Sequence, residues 1–142
     1  MIRVNVSITS VSAERFLDLK KPIPSIQINT NLNIVGVEKQ PDETMEVPFV
    51  LTISYNPSIA QISIKGRAYV AGDKPELEKI YREYEEKKPP PPLILQSISN
   101  IVFIESVLIS RTINIPPPIP LPQITPGQAT PPKKSSDQDY SA

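Results

Sequence analysis

The side chains of this sequence that could do chemistry are carboxylates, serines and one lysine. Catalysis by a pair of carboxylates needs the two groups in different environments, so that one holds a proton while the other is ionised. The carboxylates here cluster around a polar turn and on a charged helix, a pattern typical of a solvated surface. The residues considered are Glu43, Glu46, Glu83, Glu85, Glu86, Ser54, Ser97, Ser110 and Lys65.

Two missing residue types narrow this chemistry further, because the sequence contains no histidine and no cysteine. Without histidine, no serine can belong to a Ser-His-Asp arrangement. Without cysteine, there is no thiolate nucleophile, no disulfide and no Cys-based metal site. Lys65 is predicted to lie on the polar face of a strand, which argues against a desolvated amine. We therefore predict that the protein is not an enzyme and uses neither a metal nor another cofactor.

The charge balance bears on the kind of partner. Lys and Arg number 15, as do Asp and Glu, so the formal net charge is zero. A nucleic-acid-binding protein needs basic residues to neutralise phosphates, and a chain without net charge is not kept monomeric by repulsion. No apolar run approaches the ~20 residues of a membrane span, and the first ten residues alternate, unlike a signal peptide. We expect a cytoplasmic homo-oligomer that binds no nucleic acid and has no membrane span.

Apolar and polar residues alternate along four segments in the first half of the chain. From Ile2 to Ile8 every second residue is apolar, which predicts a half-buried strand because successive side chains point to opposite faces. The other three segments are 26–34, 47–55 and 60–70. Short polar breaks between them predict a four-stranded antiparallel sheet with one buried face. Gly66 falls in the apolar register of the last strand and predicts a bulge or a close backbone approach.

The periodicity then changes from strand to helix. Asp73 can cap a helix, Pro75 suits its first turn, and Glu76 completes a capping-box spacing. The residues with helical spacing are Leu77, Ile80, Tyr81 and Tyr84. Because the prolines at 89–92 end this pattern, we predict a short surface helix.

The segment 93–115 is apolar nearly all round, so its periodicity fits either a buried helix or buried strands. We favour a helix from about Ser97 to Arg111, since serine can cap its start and arginine suits its last turn. The predicted class is α+β: a four-stranded antiparallel sheet followed by one surface helix and one long apolar helix.

This order of elements, with a proline-rich motif after the apolar segment, resembles the SecB export-chaperone family. The motif residues are Ile115, Pro116 or Pro117, Ile119, Leu121 and Pro122. The resemblance implies one SecB-like domain over residues 1–124, with a proline-rich strip laid over the sheet. Three features depart from the family. Asn114 begins the motif where the family has Gly-Phe-Pro, and residues 59–72 replace an aromatic and Gln-Gly-rich fourth strand. The sequence after the motif lacks the Cys and His of a zinc-binding tail.

Residues 125–142 have almost no apolar side chain, and their composition predicts a disordered tail. The strip before them has two interpretations. It is either a packed segment, in which Ile113, Ile115, Ile119 and Leu121 face the core or a groove, or a plain linker carrying a PxxP motif. We favour the packed segment, because alternate Ile and Leu side chains are costly to leave in water.

The SecB resemblance and the apolar and aromatic residues together give a set of candidates for a polypeptide-binding groove. They are Phe49, Tyr55, Tyr69, Phe103, Ile115, Ile119 and Leu121. For Phe49 and Phe103 a role in the core is the stronger interpretation. Tyr69 is predicted on the polar face of its strand, where an exposed ring could line a contact surface.

Two functional hypotheses follow. The first is a holdase-type molecular chaperone resembling SecB, which binds unfolded polypeptides in apolar grooves and assembles through its sheet faces into a dimer or a tetramer. The alternative is a small oligomeric adaptor or structural subunit with one dedicated protein partner, which the neutral charge and the missing catalytic residues also favour.

Overall fold

An antiparallel sheet and two helices form the described part of the chain, residues 1–118 of a computed structural model. The strands are β1 (Arg3–Arg15), β2 (Gln27–Ile34), β3 (Glu38–Lys39), β4 (Thr44–Asn56) and β5 (Ala60–Ala71), and the helices are α1 (Lys74–Glu85) and α2 (Pro92–Thr112). Strands come first in the chain and helices last, which confirms the predicted α+β class.

The sheet has the order β1-β5-β4-β2, and β3 pairs with β4 beside β2. All of these pairs are antiparallel. The prediction gave four strands and the structure has five. The difference is β3, two residues long, which lies in a segment whose proline and charged residues predicted a polar turn. A pairing this short leaves no alternation that a sequence pattern could show.

One face of the sheet forms the core. Every second residue of the central strands is buried there: Met45, Val47, Phe49, Leu51, Ile53 and Tyr55 on β4, and Ala60, Ile62, Ile64, Ala68 and Val70 on β5. Helix α2 covers this face, contacts β1 and β5, and buries Ile94, Ile98 and Val102 completely. The predicted period-2 pattern of these strands is therefore confirmed, and its apolar half is the face under α2.

Helix α1 begins at the predicted place, with Asp73 at the N-cap position and Pro75 in the first turn, but the Asp73 side chain makes no capping hydrogen bond. Its buried residues, Leu77 and Ile80, face the core. Two backbone hydrogen bonds close its C-terminus, from the Lys87 amide to the Tyr84 carbonyl (2.9 Å) and from the Lys88 amide to the Glu83 carbonyl (2.9 Å). Lys87 has a φ of 64°, the left-handed conformation that this type of helix end requires.

The segment after the four prolines is a helix, but it starts earlier than predicted. Helix α2 begins at Pro92 with Pro91 as its N-cap, five residues before Ser97. The Ser97 hydroxyl instead donates to the Leu93 carbonyl at 2.7 Å, within the helix. Proline is accepted in a first helical turn because the amide it lacks would have no partner there. The proline run therefore leads directly into the helix.

The length of α2 also corrects one expectation. Its 21 residues are long and apolar enough, by length and composition alone, to cross a membrane, whereas the sequence had been expected to contain no such segment. One side of this helix is buried against the sheet, as in the core helix of a globular domain.

Gly66 satisfies both predictions made for it. The register of β1 against β5 shifts between Ile8 and Ser10, directly beside Gly66. A Cβ built on Gly66 would lie 2.3 Å from the Ser7 carbonyl oxygen and 2.6 Å from Cζ of Phe49. The bulge and the absent side chain thus let two strands and a core ring meet at one point.

We predict that Gly66→Ala lowers the free energy of unfolding by about 1–3 kcal/mol, the usual cost of overpacking. The Ser7 carbonyl belongs to the strand ladder and cannot move aside as a flexible side chain would. Gly36→Ala is the matched control, because a Cβ at Gly36 would meet nothing within 4 Å. Urea denaturation of both variants measures the difference, and equal stabilities would refute the close-approach account.

Candidate functional site

The segment that follows α2 is held against the end of the sheet. Asn114 has a φ of 56° and reverses the chain after the helix. The Ile115 amide then donates to the Ser110 carbonyl at 3.0 Å, and the Ile115 side chain is buried. Residues 113–118, here called the strip, therefore begin as a packed segment, which supports that interpretation over a plain linker for the described part.

The Tyr55 side chain holds the strip against the end of the sheet through a hydrogen bond. This tyrosine is the last buried residue of β4, and its hydroxyl donates to the Pro116 carbonyl at 2.5 Å. Burial raises the pKa of Tyr55 to about 12. The phenol is therefore neutral at ordinary pH and keeps the proton that this hydrogen bond needs.

Arg15 joins the strip to the connection between β1 and β2. Its Nε donates to the Leu17 carbonyl at 2.9 Å, and its Nη1 donates to the Asn114 carbonyl. The Phe16 amide, next in the chain, donates to the Ile59 carbonyl at 2.7 Å. One guanidinium thus bridges two backbone carbonyls and places the start of the connection beside the strip.

The β1–β2 connection, residues 16–26, exposes three large apolar side chains. Phe16 is 52% exposed, Leu19 69% and Ile23 40%. Leu17 and Ile26 from the same connection pack against the core instead. We call these three exposed side chains together with the strip the loop–strip surface, and it is the candidate functional site.

The structure separates the residues that were predicted to line a groove. Phe49 and Tyr55 are buried in the core, and Ile115 is buried where the strip begins. Phe103 is half-buried against the same core. The apolar half of the β4 alternation, which includes Phe49 and Tyr55, faces the core and not solvent. Ile119 and Leu121 lie outside the described residues.

Tyr69 is the remaining candidate, and it lies on the other face of the sheet with 37% of its surface exposed. That outer face is predominantly polar. Beside Tyr69, Arg67 forms ion pairs with Glu38 and Glu46, each at 2.9 Å. The structure therefore does not bring Tyr69 together with the loop–strip surface.

Sequence reasoning missed the exposed residues of the β1–β2 connection. Phe16, Leu19 and Ile23 stand among prolines and lysines in a segment treated only as a chain break. The sequence did contain one indication of this surface, the presence of three large apolar residues in one polar connection. Such residues either pack into the core or form a contact surface.

Two of the carboxylates considered for catalysis have structural roles. Glu46 pairs with Arg67, and Glu43 occupies the turn between β3 and β4 with a φ of 61°. Within residues 1–118, no group of three or more His, Cys, Asp or Glu side chains is placed to hold a metal ion.

Comparison with solved structures identifies a similar fold. A SecB-like chaperone of Mycobacterium tuberculosis, in complex with a ChAD peptide from the HigA1 antitoxin, matches with a TM-score of 0.57 and 10% sequence identity, over 87% of this chain and 90% of that one. A Streptococcus agalactiae protein of unknown function matches with a TM-score of 0.43 and 12% identity, over 87% and 99% of the two chains.

The first match shows that the fold is SecB-like. The second has a TM-score too low to add to this conclusion. No family model matches the sequence, and no curated protein matches it either. The likeness is therefore one of structure, at an identity where sequence comparison finds nothing.

We predict that Tyr55→Phe lowers the free energy of unfolding by about 1 kcal/mol at pH 8, the usual net value of one hydrogen bond. The pKa of Tyr55 is raised on folding, so the stability that this residue contributes is complete below its ordinary pKa of 10.0 and declines as pH rises toward about 12. The gap between the wild-type protein and Tyr55→Phe should therefore narrow over that window. Urea denaturation at several pH values measures it, and a gap that stays constant with pH would contradict the prediction.

Proposed function

We propose that this protein binds unfolded or extended polypeptides without catalysis, as a holdase-type chaperone of SecB-like fold in the cytoplasm. The observation that carries the proposal is the loop–strip surface, whose exposed apolar side chains are anchored to a rigid sheet end. The similarity to a SecB-like chaperone that is itself in complex with a peptide supports the same function.

The loop–strip surface suits an extended polypeptide. Phe16, Leu19 and Ile23 are each at least 40% exposed, so a bound chain could bury much apolar area on them. Apolar burial contributes about 25 cal/mol per Å² and is not directional, which suits binding to many sequences.

The nearby sheet edge offers a second kind of contact. Strand β1 lies at one edge of the sheet, runs for 13 residues and ends at the loop–strip surface. An extended polypeptide can add to such an edge through main-chain hydrogen bonds, which do not depend on its side chains.

We further propose that the chain assembles into a homo-oligomer through the outer side of α2. Four exposed apolar residues follow helical spacing there: Leu93, Ile101, Ile104 and Leu108. The sequence resemblance implied assembly through the sheet faces, but the outer face of the sheet is predominantly polar. An apolar stripe along a helix is the better candidate for a contact between copies.

We predict that the protein suppresses aggregation of a chemically unfolded, unrelated protein at near-stoichiometric amounts, measured by light scattering on dilution. The variant Phe16→Ser/Leu19→Ser/Ile23→Ser should need several times more protein for the same effect. All three side chains are exposed, so circular dichroism should show unchanged strand content. Val35→Ser/Tyr69→Ser is the matched control, because both side chains are also exposed but lie outside this surface and outside β1.

Three results would separate the hypotheses. Loss of suppression in the triple variant alone supports the loop–strip surface. Equal suppression by all forms would place polypeptide binding elsewhere on the molecule. No suppression by the wild-type protein, with one stoichiometric partner recovered by affinity capture, would favour the adaptor.

We predict that Ile104→Asp reduces the oligomer to a monomer of 15.8 kDa, measured by size exclusion with light scattering. A carboxylate in the apolar stripe would have to lose its hydration on assembly. Val35→Asp is the control, because Val35 is 58% exposed and Ile104 61%, but Val35 lies away from α2. A wild-type protein that is already monomeric, or equal masses for both variants, would contradict this interface.

A further inference from the structure

The loop–strip surface is surrounded by an excess of basic residues, although the chain as a whole has no net charge. Four basic residues belong to the β1–β2 connection or adjoin the strip: Arg15, Lys20, Lys21 and Arg111. Lys20 and Lys21 are exposed and lie between the exposed Leu19 and Ile23. The acidic residue of the connection is Asp18. Apolar side chains and positive charge therefore occur together at this surface.

A turn from Asp18 to Lys21 presents the two lysines. The Lys21 amide donates to the Asp18 carbonyl at 3.0 Å, and the Lys20 amide donates to Oδ1 of Asp18 at 2.9 Å. The Asp18 carboxylate is thus used by the backbone of the turn. Within residues 1–118, neither lysine forms an ion pair with an acidic side chain. Both ammonium groups are available to a bound partner.

The two arginines add charge where the strip begins. The Arg15 guanidinium donates only to backbone carbonyls, among them that of Asn114. The Asn114 amide in turn donates to the Arg111 carbonyl at 3.2 Å, and the Arg111 side chain is exposed. Glu14, the acidic neighbour of Arg15, lies on the outer face of the sheet, because Ala13 packs against the core. The carboxylate nearest in sequence therefore does not face the strip.

The balancing negative charge is at the opposite end of the sheet. Segments 38–46 and 73–88, which hold β3, the start of β4 and α1, contain ten acidic and six basic residues. Met45 at that end and Tyr55 beside the strip are roughly 33 Å apart along β4 at about 3.3 Å per residue. Exposed charges are screened over about 8–10 Å at moderate salt, so the acidic end does not cancel the basic one. Residues 119–142 contain two lysines and two aspartates and add no net charge.

We propose that the loop–strip surface selects extended polypeptides in which apolar residues are flanked by Asp or Glu. This inference rests on the proposed function, because it names the class of polypeptide that the surface binds. The apolar residues of the polypeptide bury against Phe16, Leu19 and Ile23, while its carboxylates meet Lys20 and Lys21. Complementary charge contributes to the choice of partner and to the rate of association more than to the total affinity.

The spacing within the connection suits such a sequence. Lys20 follows Leu19 directly, and Lys21 is two residues from Ile23. An extended polypeptide advances about 3.3 Å per residue, so carboxylates within a few residues of its apolar side chains reach these lysines. A polypeptide with Lys or Arg at those positions is repelled instead.

Three labelled peptides test the proposal with the full-length protein. They share a core of alternating Leu and Ser and are flanked on both sides by Asp, by Ser or by Lys. Fluorescence anisotropy at low salt should show the Asp-flanked peptide binding about fivefold more tightly than the Ser-flanked peptide, and the Lys-flanked peptide binding most weakly. The differences should shrink as salt is added, because these charges are exposed.

A pair of charge-removing variants locates the effect. Lys20→Gln/Lys21→Gln should bring the affinities for the Asp-flanked and Ser-flanked peptides to within about twofold of each other. Lys65→Gln/Lys79→Gln is the matched control, because it removes the same charge from two exposed lysines on β5 and α1. This control should keep the full preference for the Asp-flanked peptide.

Each other outcome overturns the inference in a different way. Equal binding of the Asp-flanked and Ser-flanked peptides at low salt would refute the charge selection and leave the proposed function standing. Failure of all three peptides to bind would refute the proposed function together with this inference. Equal peptide affinities, combined with flotation on anionic but not on neutral lipid vesicles that Lys20→Gln/Lys21→Gln abolishes, would assign the lysines to a membrane surface instead.

Discussion

The packing of α2 onto the alternating apolar face of the sheet is the contact on which the rest of the structure depends. Ile94, Ile98 and Val102 are fully buried in it, and each such side chain stabilises the fold by about 1.5–3 kcal/mol. The contact also fixes where the helix ends. From that point Asn114 turns the chain, Ile115 enters the core and Pro116 meets Tyr55, so the position of the strip follows from the position of the helix.

The same helix has a second apolar side that the sheet does not cover. A helix that is apolar all round is normally buried all round, in a protein core or in a membrane. Here the sheet buries one side and leaves the stripe that includes Ile101, Ile104 and Leu108 exposed. A contact between copies of the chain, as proposed above, would bury this stripe.

The prolines on either side of α2 determine its extent. The run at 89–92 lacks the amides needed to continue a helix backwards, and its last member suits the first turn. The prolines from 116 to 118 likewise cannot extend the helix forwards, and the strip they form needs no strand ladder. The two proline clusters thus lie just outside the two ends of α2, where they remove none of its internal hydrogen bonds.

Much of the fold could be predicted from local pattern. The alternation around Leu51 and Ile64 predicted strands, Asp73 marked the start of α1, and Gly66 marked a close approach. These predictions succeeded because each depends on the spacing of apolar residues within one segment or on the backbone conformations that one residue allows. The start of α2 differs from the prediction because serine is a better N-cap than proline in isolation, whereas the folded helix begins directly after Pro91.

The amino-acid sequence by itself determined the strand and helix order, the direction of the apolar alternation and the lack of histidine and cysteine chemistry. The tertiary structure decided which apolar residues are core and which are surface. Phe49 and Phe16 are both aromatic, yet the first is buried in the core and the second is about half exposed. Burial depends on which elements meet across the molecule, and that information is absent from the local spacing of residues.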